Sequence, residues 1–80
     1  MHFVYALRSE KTGRRYIGCT QDVSARLDKH NNGATPSTRT GRPWRVIHTE
    51  EFESKSEALS RERFLKSGQS REHLDYILST

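Results

Sequence analysis

Two short strand-forming segments sit so close together that they have one way to pair. Phe3-Val4-Tyr5-Ala6-Leu7 is an unbroken apolar run of strand formers, and Arg15-Tyr16-Ile17-Gly18-Cys19 follows it. The polar stretch from Ser9 to Gly13 between them is a turn, too short for the crossover that parallel strands require. The segments therefore predict an antiparallel hairpin. The first strand is apolar at every position rather than at alternate ones, which predicts burial on both faces. Such a strand belongs in the middle of a sheet covered on two sides. The core must nevertheless be small. The chain has 80 residues, 31% of them hydrophobic, enough for one domain over residues 1–80 with a stability of about 5 kcal/mol.

Beyond the hairpin the pattern turns helical. Thr20 or Asp22 can cap a helix carrying Val23 and Leu27 at helical spacing, and Asn31-Asn32-Gly33 stops it. Residues 34–43 are small, polar and broken by Pro36, Gly41 and Pro43, so they read as a loop. Trp44 to Phe52 holds Val46 and Ile47 and reads as a third strand. Ser54 or Ser56 caps a second helix containing Ala58, Leu59, Glu62, Leu65 and Lys66, which Gly68 ends. Ser70 caps a last helix with Leu74, Ile77 and Leu78 on its buried side. The expected fold is α/β in the α+β sense: a small three-stranded antiparallel sheet flanked by helices, in the order β-β-α-β-α-α.

The net charge of +4 is unevenly distributed. Residues 1–49 carry nine Lys or Arg against three acids, and residues 50–80 carry five against seven. A basic front half suits a polyanionic partner, nucleic acid above all. Arg14 and Arg15 at the hairpin, and Arg39, Arg42 and Arg45 around Trp44, are the candidate backbone contacts. Trp44 has two readings, a base-stacking platform or a core residue, and its place at the start of a strand favours the core. One cysteine, Cys19, excludes an internal disulfide and a Cys-rich zinc site. The expectation is a cytoplasmic protein without signal peptide or membrane span.

Two tyrosine tripeptides carry the chemistry. Phe3-Val4-Tyr5 lies on the first strand and Tyr16-Ile17-Gly18 on the second, with ten residues between the tyrosines. Arg26 and His30 lie four apart on the first helix, and Glu62 lies on the second. This ordered set resembles the GIY-YIG nuclease superfamily, as does the segment Ser56-Glu57-Ala58-Leu59-Ser60-Arg61-Glu62-Arg63-Phe64-Leu65-Lys66. The resemblance runs from Phe3 to at least Lys66. It departs from the family pattern where Phe3 replaces a glycine. Cys19 stands where some relatives place a lysine. No asparagine follows the second helix in the place some relatives use for phosphate, where Gln69 is the nearest substitute. The resemblance implies the first tyrosine, Tyr5, as general base, with Tyr16 on phosphate or water.

The same residues make chemical sense by themselves. Hydrolysis of a phosphodiester needs an activated water, a clamp on the non-bridging oxygens and relief of leaving-group charge. Arg26 offers a planar fork matched to phosphate. Glu62 is a hard oxygen ligand suited to Mg²⁺ or Mn²⁺. Tyr5 or Tyr16 can take a proton if a cation lowers its pKa, and His30 can relay a proton or orient water. Singly, each has a structural reading: Tyr5 and Tyr16 as packing aromatics, Arg26 and His30 as a solvated helix face, Glu62 as a surface acid, Gly18 as a bulge or a close approach to a ligand. Together with the resemblance they imply a metal-dependent endonuclease acting on DNA with low sequence specificity, selective for structure or directed by a partner protein. The incision domain of nucleotide-excision repair is among the family's members. The alternatives are a weakly catalytic or inactive nucleic-acid-binding module on this scaffold, and a protein-interaction domain docking through its acidic half.

Overall fold

A computed structural model describes residues 1–67. Strand β1 (His2–Ser9) and strand β2 (Arg15–Thr20) form the hairpin, and helix α1 (Val23–Asn31) follows. A short 3₁₀ turn at Arg39–Gly41 leads into strand β3 (Trp44–Phe52), and helix α2 (Lys55–Lys66) comes after it. The sheet order is β2-β1-β3, antiparallel throughout. β1 is central, as its unbroken apolar run requires: Val4, Tyr5, Ala6 and Leu7 are all buried. The predicted last helix, with Ser70, Leu74, Ile77 and Leu78, lies outside the described residues. So do Gly68 and Gln69.

Alternation along the strands separates two small cores. Val4, Ala6 and Ile17 face α2 and pack with Ala58 and Leu65, flanked by Cys19, Ile47 and Phe52. Tyr5, Leu7 and Trp44 face the other way, against Tyr16, Val46 and the α1 residues Val23 and Leu27. An irregularity opposite Ala6 and Leu7 adds one residue to β3, which re-aims the strand without changing the partner.

Side-chain caps fix both helices. Asp22, not Thr20, accepts the Ala25 amide at 3.0 Å. Ser54, not Ser56, accepts the Glu57 amide at 3.1 Å and donates its hydroxyl to the Glu57 carboxylate at 2.9 Å. Gly33, with φ +78°, follows the end of α1. Asn31 then ties α1 to the sheet: its side-chain amide donates to the Trp44 carbonyl at 3.0 Å and accepts the Trp44 amide at 2.6 Å. On the opposite face, Arg61 of α2 forms a fork with Glu50 of β3 at 2.7 and 3.2 Å, and His48 reaches the same carboxylate at 2.7 Å. Burial pushes the Glu50 carboxyl up, but the hydrogen bonds from Arg61 and His48 outweigh it and hold its pKa below the ordinary value.

Residues 34–43 are a loop tied down from within. Thr38 is 1% exposed, and its carbonyl accepts the Trp44 indole N–H at 2.7 Å. The Ser9 hydroxyl donates to the Gly41 carbonyl at 2.6 Å. Trp44 is 6% exposed and belongs to the core, so it offers no platform for a base.

Gly18 is not a bulge, and the close approach it permits is that of Tyr5. It sits directly opposite Tyr5 in an unbroken register, and a Cβ at this position would collide with the Tyr5 ring and hydroxyl. The glycine therefore makes room for the tyrosine. Overpacking of this kind costs about 1–3 kcal/mol. Gly18→Ala is expected to lower the melting temperature by several degrees, roughly 4–8 °C per kcal/mol at this size. An unchanged thermal melt would mean that Tyr5 is free to shift aside.

Candidate active site

A cleft of about 600 Å³ runs along the β2 edge between α1 and α2. The hairpin contributes Tyr5, Tyr16, Gly18 and Cys19; α1 contributes Arg26 and Lys29; α2 contributes Lys55, Leu59 and Glu62. The register explains the tyrosines. Tyr5 pairs with Gly18 and Leu7 with Tyr16, so both tyrosines point to the α1 face. Their ring centroids are 6.3 Å apart. Four of the five expected site residues, Tyr5, Tyr16, Arg26 and Glu62, therefore line one space.

His30 does not. It is 0% exposed and stands behind the tyrosines, its ring 4.8 Å from that of Tyr16 in an edge-on arrangement. Its contact with the cleft passes through Tyr5, whose hydroxyl lies 3.0 Å from His30 Nε2. On the other side, His30 Nδ1 lies 2.8 Å from Thr38 Oγ1. The Thr38 hydroxyl donates to the Thr35 carbonyl, which leaves its oxygen to accept from Nδ1. With the Thr38 proton on the Thr35 carbonyl, Nδ1 carries the ring proton, Nε2 accepts, and the Tyr5 hydroxyl donates to it. Burial lowers the His30 pKa, and Arg26 lowers it further, so the ring is neutral near pH 7. Direct orientation of water by His30 is ruled out by its burial behind Tyr5.

Tyr5 is 1% exposed. Burial raises its pKa far above that of an ordinary phenol, with Tyr16 adding to the rise, Arg26 opposing it, and Glu62 and Cys19 adding again. The protein groups around Tyr5 thus raise rather than lower the pKa of its phenol. Beside it stands a neutral imidazole positioned to take the phenolic proton.

Arg26 is half-buried on the wall of the cleft. None of the salt bridges among the described residues involves it. Glu62 is also half-buried, and its partner is Lys66 one turn on, at 2.7 Å, rather than an arginine. Lys66 is about half exposed, so the pair can open without disturbing the core. Among the described residues no three of His, Cys, Asp or Glu converge on a point. One hard carboxylate in a polar cleft nevertheless fits Mg²⁺, which keeps several of its waters and takes only one or two protein ligands.

Sequence reasoning missed Thr38, Lys29 and Lys55. Helical spacing held a signal for Lys55, because Lys55, Leu59 and Glu62 are i, i+4 and i+7 and share one face of α2. Nothing in the sequence marked Thr38. Cys19 is half-buried in the cleft; its thiol pKa is raised by burial and by Glu62, with Lys55 and Arg26 opposing. The five arginines expected on nucleic acid lie outside the cleft. Arg39 donates through Nε to the Gly33 carbonyl at 3.0 Å, and Arg42 to the Arg39 carbonyl at 2.9 Å. Both thereby brace the loop. Arg14, Arg15 and Arg45 lie at the other end of the sheet, around Arg8.

This arrangement, a tyrosine pair on a hairpin with an arginine helix and a glutamate helix closing on it, coincides with a family match. The model of the GIY-YIG catalytic domain matches residues 1–75, and the chain belongs to the GIY-YIG family. Its nucleases generally use divalent metal ions. Within that family the chain is similar to small proteins designated UPF0213. Those of Staphylococcus aureus strains Mu3 and Mu50 are each 42% identical to it over 67 residues, covering 82% of this chain and 80% of theirs. The solution NMR structure of the UPF0213 protein BH0048 from Bacillus halodurans is 37% identical, with a TM-score of 0.59, covering 95% of this chain and 83% of that one. No helix of the described residues is long and apolar enough to cross a membrane.

The buried imidazole makes stability depend on pH. Its folded pKa lies below the ordinary 6.5, so the unfolded chain binds the proton first. Stability is complete above about pH 6.5 and falls as the pH drops through the folded value. Glu50 acts in a separate, more acid window, because its folded pKa is below 4.5. Melting temperature measured across pH 6.5 is expected to decline on the acid side in the wild type and to be flatter in His30→Gln. An equal decline in both would place the titrating group elsewhere.

Proposed function

We propose that this chain is a metal-dependent endonuclease that hydrolyses phosphodiester bonds in DNA with little sequence specificity. The observation that carries the reading is the convergence of Tyr5, Tyr16, Arg26 and Glu62 on one cleft, with His30 bonded to Tyr5 from behind. The substrate phosphate lies against Arg26, whose fork takes two non-bridging oxygens. Tyr16 binds the phosphate or the attacking water. Glu62, paired with Lys66 in the structure, would hold a Mg²⁺ or Mn²⁺ ion, which would supply charge relief at the leaving oxygen.

Tyr5 works as a relay. As water attacks phosphorus, its proton passes to the Tyr5 oxygen while the Tyr5 proton passes to His30 Nε2. No free tyrosinate forms, and the proton ends on the imidazole. Thr38 accepts from Nδ1 throughout and holds the ring in the receiving tautomer. The basicity lost by burial of the phenol is thus drawn from the histidine. On this reading the substrate is recognised by shape or with the help of a partner protein.

Cys19, in place of the lysine of some relatives, is what favours the rival reading of a binding module without catalysis. Glu62→Gln separates the two. It removes one negative charge and preserves helix propensity. Nicking of supercoiled plasmid in Mg²⁺ is expected to fall at least ~10²-fold, with DNA binding equal or tighter and the thermal melt little changed. Wild-type nicking by this variant would remove Glu62 as the metal ligand. Binding without nicking by the wild type, in both Mg²⁺ and Mn²⁺, would establish the rival.

A further inference from the structure

Three arginines stand side by side across one end of the sheet. In register, Arg15 of β2 faces Arg8 of β1, and Arg8 faces Arg45 of β3. Directly paired residues project from the same face, and neighbouring strands lie about 4.8 Å apart, so three guanidinium stems rise within roughly 10 Å. All three side chains are exposed. Like charges placed directly opposite each other destabilise a sheet. None of the salt bridges among the described residues involves Arg8 or Arg45. Arg15 holds a contact of its own. Arg14 adds a fourth cation, and together with Arg8, Arg15 and Gly13 it walls a concavity of about 420 Å³ at the hairpin.

We propose that Arg8 and Arg45, with Arg15 between them and the cleft, form a phosphate-binding strip that grips the nucleic-acid backbone to one side of the bond being cut. The proposal rests on the nuclease reading of the cleft and adds a second contact at a fixed distance. Arg15 and Cys19 project from the same face of β2, the α2 face opposite to Tyr5 and Tyr16, four residues apart, or about 13 Å. Phosphates recur every ~3.4 Å along the axis on each strand of a duplex, so a backbone that follows β2 meets the strip about four nucleotides from the Cys19 end of the cleft. A row of planar forks suits a row of phosphates better than a single small anion. A lipid surface fits poorly, because among the described residues the exposed large apolar ones are Met1, Leu59 and Phe64 and none belongs to the strip.

The strip is tested by fluorescence anisotropy, with a labelled DNA duplex long enough to span both sites and one too short to do so. Arg8→Gln and Arg45→Gln are each expected to reduce the slope of log K against log salt by about 0.9 on the long duplex. On the short duplex, variants and wild type should bind alike. Neither variant should melt below the wild type, because a repulsive pair has been relieved. Arg8→Lys should keep the slope, which guards against an effect of misfolding. Unchanged affinity and slope on the long duplex would overturn the proposal. So would a lower melt with unchanged binding, since the row would then be structural. Tighter, Arg8-dependent binding to phosphatidylserine vesicles than to duplex would reassign the strip to a membrane. The two readings fail separately: a protein that shows the strip's length dependence but never cuts refutes the nuclease, and one that cuts with no length dependence refutes the strip.

Discussion

The site depends on one contact, the Tyr5 hydroxyl against His30 Nε2. Tyr5 is held there by packing rather than by choice of rotamer alone. Gly18 opposite it has no side chain, the Tyr16 ring lies beside it, and the central strand cannot move because both of its faces are covered. His30 is held by the Thr38 hydroxyl, and Thr38 by the Trp44 indole on its carbonyl. The polar chain Tyr5–His30–Thr38–Thr35 is satisfied at every link, and among the described residues no buried side-chain polar atom lacks a partner. A network of this kind in a low-dielectric interior is rigid and poorly tolerant of partial loss. Burial that looks hostile to acid–base chemistry in each group alone becomes workable in the pair, because one proton shift leaves one charge rather than two.

The alternation of β1 and β2 divides the work. Residues of one parity build the hydrophobic layer under α2, while those of the other parity present Tyr5 and Tyr16 toward α1. The cleft opens where the two layers meet at the free edge of β2. There α1 supplies cations and α2 supplies the carboxylate. The Glu50–Arg61 fork fixes α2 to β3 and, through it, fixes the position of Glu62 one residue further along the same helix. Helix and sheet are thus braced close to the residue whose placement the chemistry depends on.

Much of this was legible in the chain. The apolar run Phe3–Leu7 predicts a central strand because only burial on both faces tolerates it, and β3 begins at Trp44 and ends at Phe52 as its pattern indicates. That Tyr5, Tyr16, Arg26 and Glu62 belong to one site is implied by the resemblance of their ordered set to the GIY-YIG family, and the four do line one cleft. What was not legible depends on tertiary contact. Whether His30 faces water or the core is decided by Thr38 and Trp44, which approach from a loop without period. Gly18 reads in sequence as a bulge or a close approach to a ligand, because the neighbour that needs its missing side chain, Tyr5, lies on another strand. The partner of Glu62, by contrast, was open to helical spacing, since Lys66 is the one basic residue three or four positions from it on the helix.

The central claim is that Tyr5 passes a proton between water and His30. The direct measurement is the single-turnover rate of Mg²⁺-dependent plasmid nicking by Tyr5→Phe, with its thermal melt recorded alongside. The substitution deletes one hydroxyl and keeps the ring that packs on Gly18. The account predicts a loss of ~10²–10⁴-fold in rate, the worth of a positioned proton acceptor, with plasmid binding retained and the melt shifted little. Nicking at the wild-type rate would contradict it, and would leave Tyr5 as a core aromatic whose hydroxyl does no more than satisfy His30.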